Sequence, residues 1–484
     1  IVVYGSSGDL ARRKTFPALF GLYIHGFLHG DFKIIGYARS TFSKQEYTER
    51  IAPFLRKAYG AACDNLDLQI SVFFDEHCTF VSGQYDSHDD FTNKLKPLIG
   101  CPAGDDGVGM LRIHYLALPP NAFISVASRI RDCLECDHGR GGVVTRLVIE
   151  KPFGRDLRSS EELESGLKPL FDESEIYRID HYLGKEMVKS ILVLRFGNHV
   201  FESLWSTKHI ASVQVTMDET LGVEGRGGYY DDYGVIRDVL QNHILQMLSI
   251  VAMERPAGLD PESIRDAKLA SLKQTKTLTL KDVILGQYGK SQTGPAYTEE
   301  DTVPSGSLTP TFVMAVCYID TDRWRGVPFI LRTGKALNSS KSEIRIQFRE
   351  STGFALFESV NWCATNELVV SVQPDEKVYM RMVVRKPGVG SGMEPVRADL
   401  DLSYKNAFTG VRIPDAYENL LLEILQGEQQ NFVRADELAE AWRIVTPLLE
   451  EIEGKHVKPL VYPHGSHGPA EAEEWLERLK CGCQ

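Results

Sequence analysis

From residue 1 to about residue 175, short β-branched runs alternate with longer stretches whose apolar residues recur at helical spacing. The runs are 1–4, 33–38, 79–82, 112–118 and 146–150, and Phe123, Val126, Ala127, Ile130 and Leu134 mark one intervening helix face. Strand alternating with helix predicts a parallel sheet with crossover helices, a Rossmann-like doubly wound α/β unit.

Beyond residue 175 the pattern changes. A long helix is predicted over 235–253, then strands at 312–319, 328–332, 343–349, 367–373 and 377–384. In the third of these, Ile344, Ile346 and Phe348 alternate with Arg345, Gln347 and Arg349, the period of a sheet with one covered face. Amphipathic stretches at 416–425 and 437–452 follow, and Gly/Pro/Ser-rich 286–306 and 387–395 read as surface loops. The second half is therefore expected to be an α+β unit on a large, mostly antiparallel sheet. The 484 residues divide into two domains, 1–175 and 176–484.

Composition narrows the function classes. The 54 basic and 66 acidic residues give a net charge of −12, which excludes a generally basic nucleic-acid binder. An anion site in such a chain must be a local cluster of cations and backbone N–H groups. No apolar run approaches the roughly 18 residues of a membrane helix. Nine cysteines without a framework spacing read as reduced thiols of an intracellular, cytoplasmic protein, and the Cys133/Cys136 and Cys481/Cys483 pairs lack partner ligands, so no metal is expected. Ile1 in place of Met predicts that the native N-terminus lies upstream.

Several local patterns carry chemistry. The first strand runs into Gly5-Ser6-Ser7-Gly8-Asp9-Leu10-Ala11-Arg12, a glycine turn opening a helix, which suits a pyrophosphate even though GxxG is shorter than the full dinucleotide fingerprint. The second strand ends at Arg39-Ser40 rather than at an acidic residue, favouring NADP over NAD, because a guanidinium holds a 2′-phosphate that a carboxylate repels. Lys151, in Glu150-Lys151-Pro152-Phe153-Gly154, closes the fifth strand where such sheets place ligands. The densest polar cluster is Arg178 to Glu186. If it begins a helix, His181 and Lys185 share a face and could hold a phosphate with Tyr182, while Asp180 points elsewhere. Asp238 and His243 stand five residues apart, about 140° around an α-helix, so His243 needs its orienting carboxylate from elsewhere, and Asp180 is the candidate.

Taken in order, Gly5–Ala11, Gly36–Ser40, Glu150–Gly154, RIDHYLGKE at 178–186 and RDVLQNH at 237–243 resemble the glucose-6-phosphate dehydrogenase family, from Gly5 to about Ala472. The resemblance implies a dinucleotide-binding domain and a β+α domain for substrate binding and dimerisation. It implies oxidation of glucose 6-phosphate to 6-phosphoglucono-1,5-lactone with NADP as hydride acceptor, the first step of the oxidative pentose phosphate pathway, in a homodimer or homotetramer. His243 matches the general base and Asp180 its orienting carboxylate. His181, Tyr182, Lys185, Glu219, Asp238, Lys335 and Gln373 match substrate contacts, Lys151 matches a residue touching both ligands, and Gly5–Arg12 with Arg39 match the NADP site. Ser340 stands where some members have an arginine, and Lys341 is expected to substitute for it. Arg332, Lys341, Arg345, Tyr379, Arg381 and Asp401 match parts of a second, structural NADP site. Ser371 replaces an arginine there, and the aromatic tail that closes the site is lacking, so that site is expected to be weak or absent.

Overall fold

The computed structural model describes residues 1–60, 63–100, 109–134, 142–357 and 365–480. Cys136, Cys481 and Cys483 lie outside the described residues.

Six parallel strands form the first sheet: β1 (Val2–Tyr4), β2 (Ile34–Ala38), β3 (Cys78–Ser82), β4 (Met110–Leu116), β5 (Val143–Glu150) and β6 (Ile176–Ile179). Their spatial order, β3-β2-β1-β4-β5-β6, is that of dinucleotide-binding sheets, with the reversal beside β1 where such sheets bind ligands. Both faces are covered, so β1 and β2 are buried at every position. The sheet runs past residue 175, because β6 pairs with β5 over 176–179.

The second sheet has nine strands: β7 (Ile210–Asp218), β8 (Val283–Gly289), β9 (Phe312–Cys317), β10 (Phe329–Gly334), β11 (Lys341–Phe348), β12 (Glu367–Gln373), β13 (Lys377–Arg385), β14 (Pro395–Ser403) and β15 (Leu460–Pro463). The order is β14-β13-β12-β11-β7-β10-β9-β8-β15, antiparallel except at β7/β10 and β8/β15. β8 begins the stretch that composition assigns to a loop from residue 286. Val213, Val215, Ile344, Ile346 and Leu331 are buried in the same core as Leu240, Ile244 and Leu248 of the helix packed on this sheet, and that core also includes Leu147, Ile149 and Ile176 of the first sheet.

Buried polar contacts also tie the first sheet and its loops to the C-terminal segment. Arg178 on β6, fully inside, donates to Glu164 and Glu173 and to the Val433 carbonyl, while Trp442 of the Ala435–Gly454 helix donates to the Phe153 carbonyl at 2.9 Å. A guanidinium with this many acceptors escapes the cost of an unpaired buried charge.

Candidate active site

At the carboxyl end of β1 the chain turns through Gly5–Ser7 and begins a helix at Asp9. Gly5 has φ +75°, and a Cβ there would lie 2.2 Å from the Ala117 carbonyl oxygen, so only glycine fits. Gly8 N–H donates to the Gly5 carbonyl at 2.8 Å. The cradle at the sheet's switch point and the helix start behind it suit a pyrophosphate. Arg39 emerges exposed at the end of β2 with its guanidinium 5.5 Å from the centre of the Tyr85 ring, and Ser7 and Ser40 hydroxyls are 3.4 Å apart beside it. These residues fit a dinucleotide carrying a 2′-phosphate.

The reading of 178–186 as a helix start is corrected by the structure: Arg178 and Ile179 end β6, residues 180–185 are tight turns, and the Glu186–Phe196 helix follows. Gly184 allows this packing, since a Cβ there would meet the Ala416 carbonyl oxygen at 2.5 Å. The turns aim Asp180 inward. Its Oδ1 accepts from the Tyr182 N–H at 3.0 Å and lies 2.5 Å from His243 Nδ1, with both side chains buried.

His243 sits in a π-helical stretch, Ile236–Ile244, continued by the Leu245–Ala252 helix. Because i→i+5 hydrogen bonds make a wider turn than an α-helix, Asp238 and His243 come closer to one side than the α-helical 140° allows. They nevertheless have separate partners: His243 pairs with Asp180, whereas Asp238 engages lysines. Burial lowers the His243 pKa below its ordinary 6.5, and the Asp180 charge only partly offsets this. Burial works to raise the Asp180 carboxyl, but His243, Lys151 and the Tyr182 N–H together hold it below the usual range.

Around this pair lie the remaining predicted side chains. The His181 and Tyr182 rings stand 4.7 and 4.6 Å from the His243 ring centre, and Lys185 Nζ is 5.4 Å from the Tyr182 ring centre. Burial depresses His181 well below its ordinary value, and nearby His243, Lys151, Lys185 and Lys14 depress it further. Lys185 is lowered by burial and by Lys14. Tyr182 Oη meets Ser342 Oγ at 2.9 Å and donates to Gln373 Oε1 at 3.2 Å. Lys151 Nζ donates to the Asp238 carbonyl at 2.6 Å and to its carboxylate at 3.3 Å, Lys335 binds Glu219, and Lys335 Nζ lies 3.9 Å from Asp238 Oδ2. The Lys151–Pro152 and Gln373–Pro374 bonds are cis.

Lys341 is not brought into this cluster. Alternation along β11 sends Ser342 toward Tyr182 and its neighbours to the opposite face, where Lys341 Nζ lies 3.5 Å from Glu343. There it lines a cavity of about 220 Å³ with Arg332, Arg345, Asp218 and Glu473. The arginines of this region are engaged by carboxylates, some of them shared: Arg332 by Asp218 and Glu473, Arg345 by Glu343 and Glu367, and Arg381 by Glu367 and Asp399.

Two residues to which sequence reasoning gives no role complete the site. Tyr417, near the start of the Ala416–Gln426 helix, stacks on His181 at 5.9 Å and 12°; no local motif signals this, since the contact joins distant segments. Glu150, buried beside Lys151, accepts from Tyr115, and burial raises its pKa to about 7. Its place in an otherwise apolar strand end is the signal that could have found it.

A dinucleotide-binding sheet whose cleft holds a buried His–carboxylate pair ringed by lysines defines the class of NAD(P)-dependent oxidoreductases acting on an anionic alcohol. Family models match in two parts: residues 2–190 match "Glucose-6-phosphate dehydrogenase, NAD binding domain", and 192–482 match "Glucose-6-phosphate dehydrogenase, C-terminal domain". The chain is 48% identical over 479 residues to glucose-6-phosphate 1-dehydrogenase of Aspergillus niger, covering 98% of this chain and 90% of that protein. It is 46% identical over 484 residues to glucose-6-phosphate 1-dehydrogenase 6, cytoplasmic, of Arabidopsis thaliana, covering 99% and 90%. A solved glucose-6-phosphate dehydrogenase in complex with its substrate glucose 6-phosphate is similar at a TM-score of 0.91 and 43% identity, covering 99% of this chain and 97% of that one. The chain belongs to the glucose-6-phosphate dehydrogenase family.

Proposed function

We propose that this chain oxidises glucose 6-phosphate at C1 to 6-phosphoglucono-1,5-lactone, with NADP accepting the hydride. The observation that carries the reading is the buried 2.5 Å contact between His243 Nδ1 and Asp180 Oδ1, which commits Nδ1 and makes Nε2 the nitrogen that acts as base. Asp180 accepts from Nδ1–H, fixes the tautomer and stabilises the imidazolium that forms when Nε2 takes the C1 hydroxyl proton. His181, Tyr182 and Lys185 hold the 6-phosphate. Glu219, Asp238, Lys335 and Gln373 orient the sugar, and Lys151 stands between sugar and nicotinamide. Gly5, Ser6, Ser7, Gly8, Asp9, Leu10, Ala11, Arg12 and Arg39 would hold NADP, which supplies a two-electron acceptor. A substrate panel assayed by reduced-nicotinamide absorbance, with NADP and then NAD, tests the reading. Turnover is expected with glucose 6-phosphate and NADP, and failure of that pair while another sugar phosphate reacts would overturn it.

The same proposal includes a dinucleotide-binding unit and a substrate-binding and assembly unit, with the division after β6. It includes a homodimer or homotetramer formed through β13 and β14, supported by exposed Leu400 and Leu402 on the outermost strand. A cytoplasmic location, the one carried in the name of the Arabidopsis relative, belongs to it as well. No helix among the described residues is long and apolar enough to cross a membrane. A second dinucleotide site is weak or lacking in this reading, because Arg332, Arg345 and Arg381 already hold internal carboxylates that a phosphate would have to displace.

A further inference from the structure

Behind the His243–Asp180 pair lies a small cavity lined by Lys151, Pro152, Asp180, Gln241, Asn242 and Gln246, among others. About 10 Å³ of it is open to the centre of a water-sized sphere, enough for one water molecule. Three of its lining residues each carry a buried polar atom without a hydrogen-bond partner among the described residues: Asp180 Oδ2, Gln241 Nε2 and Gln246 Oε1. Gln241 and Gln246 are 4% and 1% exposed, so bulk water does not serve them. Asp180 Oδ1, by contrast, already accepts from His243 and Tyr182. Lys151 Nζ, the cation on this wall, is engaged by Asp238.

The three orphans match the bonding capacity of a single water. It has two hydrogens to donate, one to Asp180 Oδ2 and one to Gln246 Oε1, and a lone pair to accept from Gln241 Nε2. Three bonds are the usual complement of a buried water. Left unpartnered, each of these atoms costs its full desolvation penalty, most severely for the carboxylate oxygen. We propose that one ordered water bridges Asp180 Oδ2, Gln241 and Gln246, and that the two glutamines are thereby positioning residues for the Asp180–His243 pair. The inference rests on the reading of His243 as the base. With Oδ2 tied to the water, the carboxylate cannot swing about its terminal torsion, and Oδ1 stays aimed at Nδ1. Neither glutamine touches substrate or dinucleotide in this scheme.

Gln241→Met and Gln246→Met, measured with glucose 6-phosphate and NADP, are each expected to lower kcat about tenfold, the effect of leaving a buried acceptor unpaired. KM is expected to stay within about twofold, because the substrate contacts are untouched. The double variant is expected to lose about as much as either single one, since all three changes remove the same water. Folded variants with parental kcat, or a lower Tm with unchanged kcat, would overturn the proposal, as would a double variant whose loss is the product of the singles. Should the variants not fold, a high-resolution crystal structure of the unmodified enzyme decides: a water within hydrogen-bond distance of all three atoms supports the proposal, and a dry cavity or a water touching fewer of them overturns it. His243→Asn, run alongside, separates the two readings. Normal turnover in that variant removes the base assignment, whereas its loss beside unaffected glutamine variants removes only the bridge.

Discussion

His243 is held as a neutral imidazole because burial opposes its charge more strongly than Asp180 favours it. Only the neutral form can take a proton, so activity is lost as pH falls through the folded pKa. The acid limb of kcat/KM is therefore expected below pH 6.5, and a limb at higher pH would contradict the burial argument. Replacing the base with asparagine is expected to cost about 10² to 10⁴ in kcat with little change in substrate Kd, checked by steady-state kinetics and equilibrium binding. Glu150 works in the opposite direction. Its folded pKa, near 7, lies above the ordinary 4.5, so the folded state binds more protons than the unfolded one in that window, and stability falls as pH rises. Glu150→Gln removes this penalty. The difference in unfolding free energy between variant and parent, from denaturant titrations, is expected to move in the variant's favour from about pH 4.5 to about pH 7, by an amount on the order of 3 kcal/mol.

Among the elements, the turns of 180–185 matter most. They carry Asp180, His181, Tyr182 and Lys185, and their shape depends on Gly184 meeting the Ala416–Gln426 helix. Gly184→Ala pushes that helix and Tyr417 away from His181. It is expected to raise KM for glucose 6-phosphate about tenfold while destabilising the fold by about 2 kcal/mol, measured by kinetics and thermal unfolding. The same segment shows where sequence periodicity stops being informative. Its polar residues are legible as one cluster, and the spacing within 237–243 names Asp180 as a candidate partner for His243 by disfavouring Asp238. Yet a four-residue spacing suggests a helix face, and nothing local says that His181 and Lys185 converge through turns instead. β11 was readable because one of its faces is polar. β7, buried at eight of nine positions at the centre of the same sheet, has no alternation to reveal it. The stacking of Tyr417 on His181 joins distant segments, which no pattern within a window can register, and the spacing within 236–244 does not distinguish the observed π-helical turn from an α-helical one.

For the whole molecule, β14 lies at one edge of the nine-stranded sheet, with Leu400 63% and Leu402 47% exposed. Lysine at both positions is expected to shift the assembly toward monomers in sedimentation velocity while leaving the far-UV spectrum unchanged; an unaltered assembly would place the interface elsewhere. The net charge of −12 fits this picture because the cations that matter are concentrated. Lys151 and Lys185 stand near His181, and Lys335 shares Asp238 with Lys151, while Arg39 ends β2 and Arg332, Arg345 and Arg381 are tied to carboxylates elsewhere. Titration with NADP is accordingly expected to show one tight site per subunit, and a second of similar affinity would mean that those carboxylates yield.

Asp180 falls in the part of the chain that matches the NAD-binding family model, and His243 in the part that matches the C-terminal one. Neither part holds a complete proton acceptor. Loss of either side chain disables the acceptor, so Asp180→Asn is expected to lower kcat as His243→Asn does, measured by steady-state kinetics. The proton acceptor thus joins two stretches of chain that the family models describe separately.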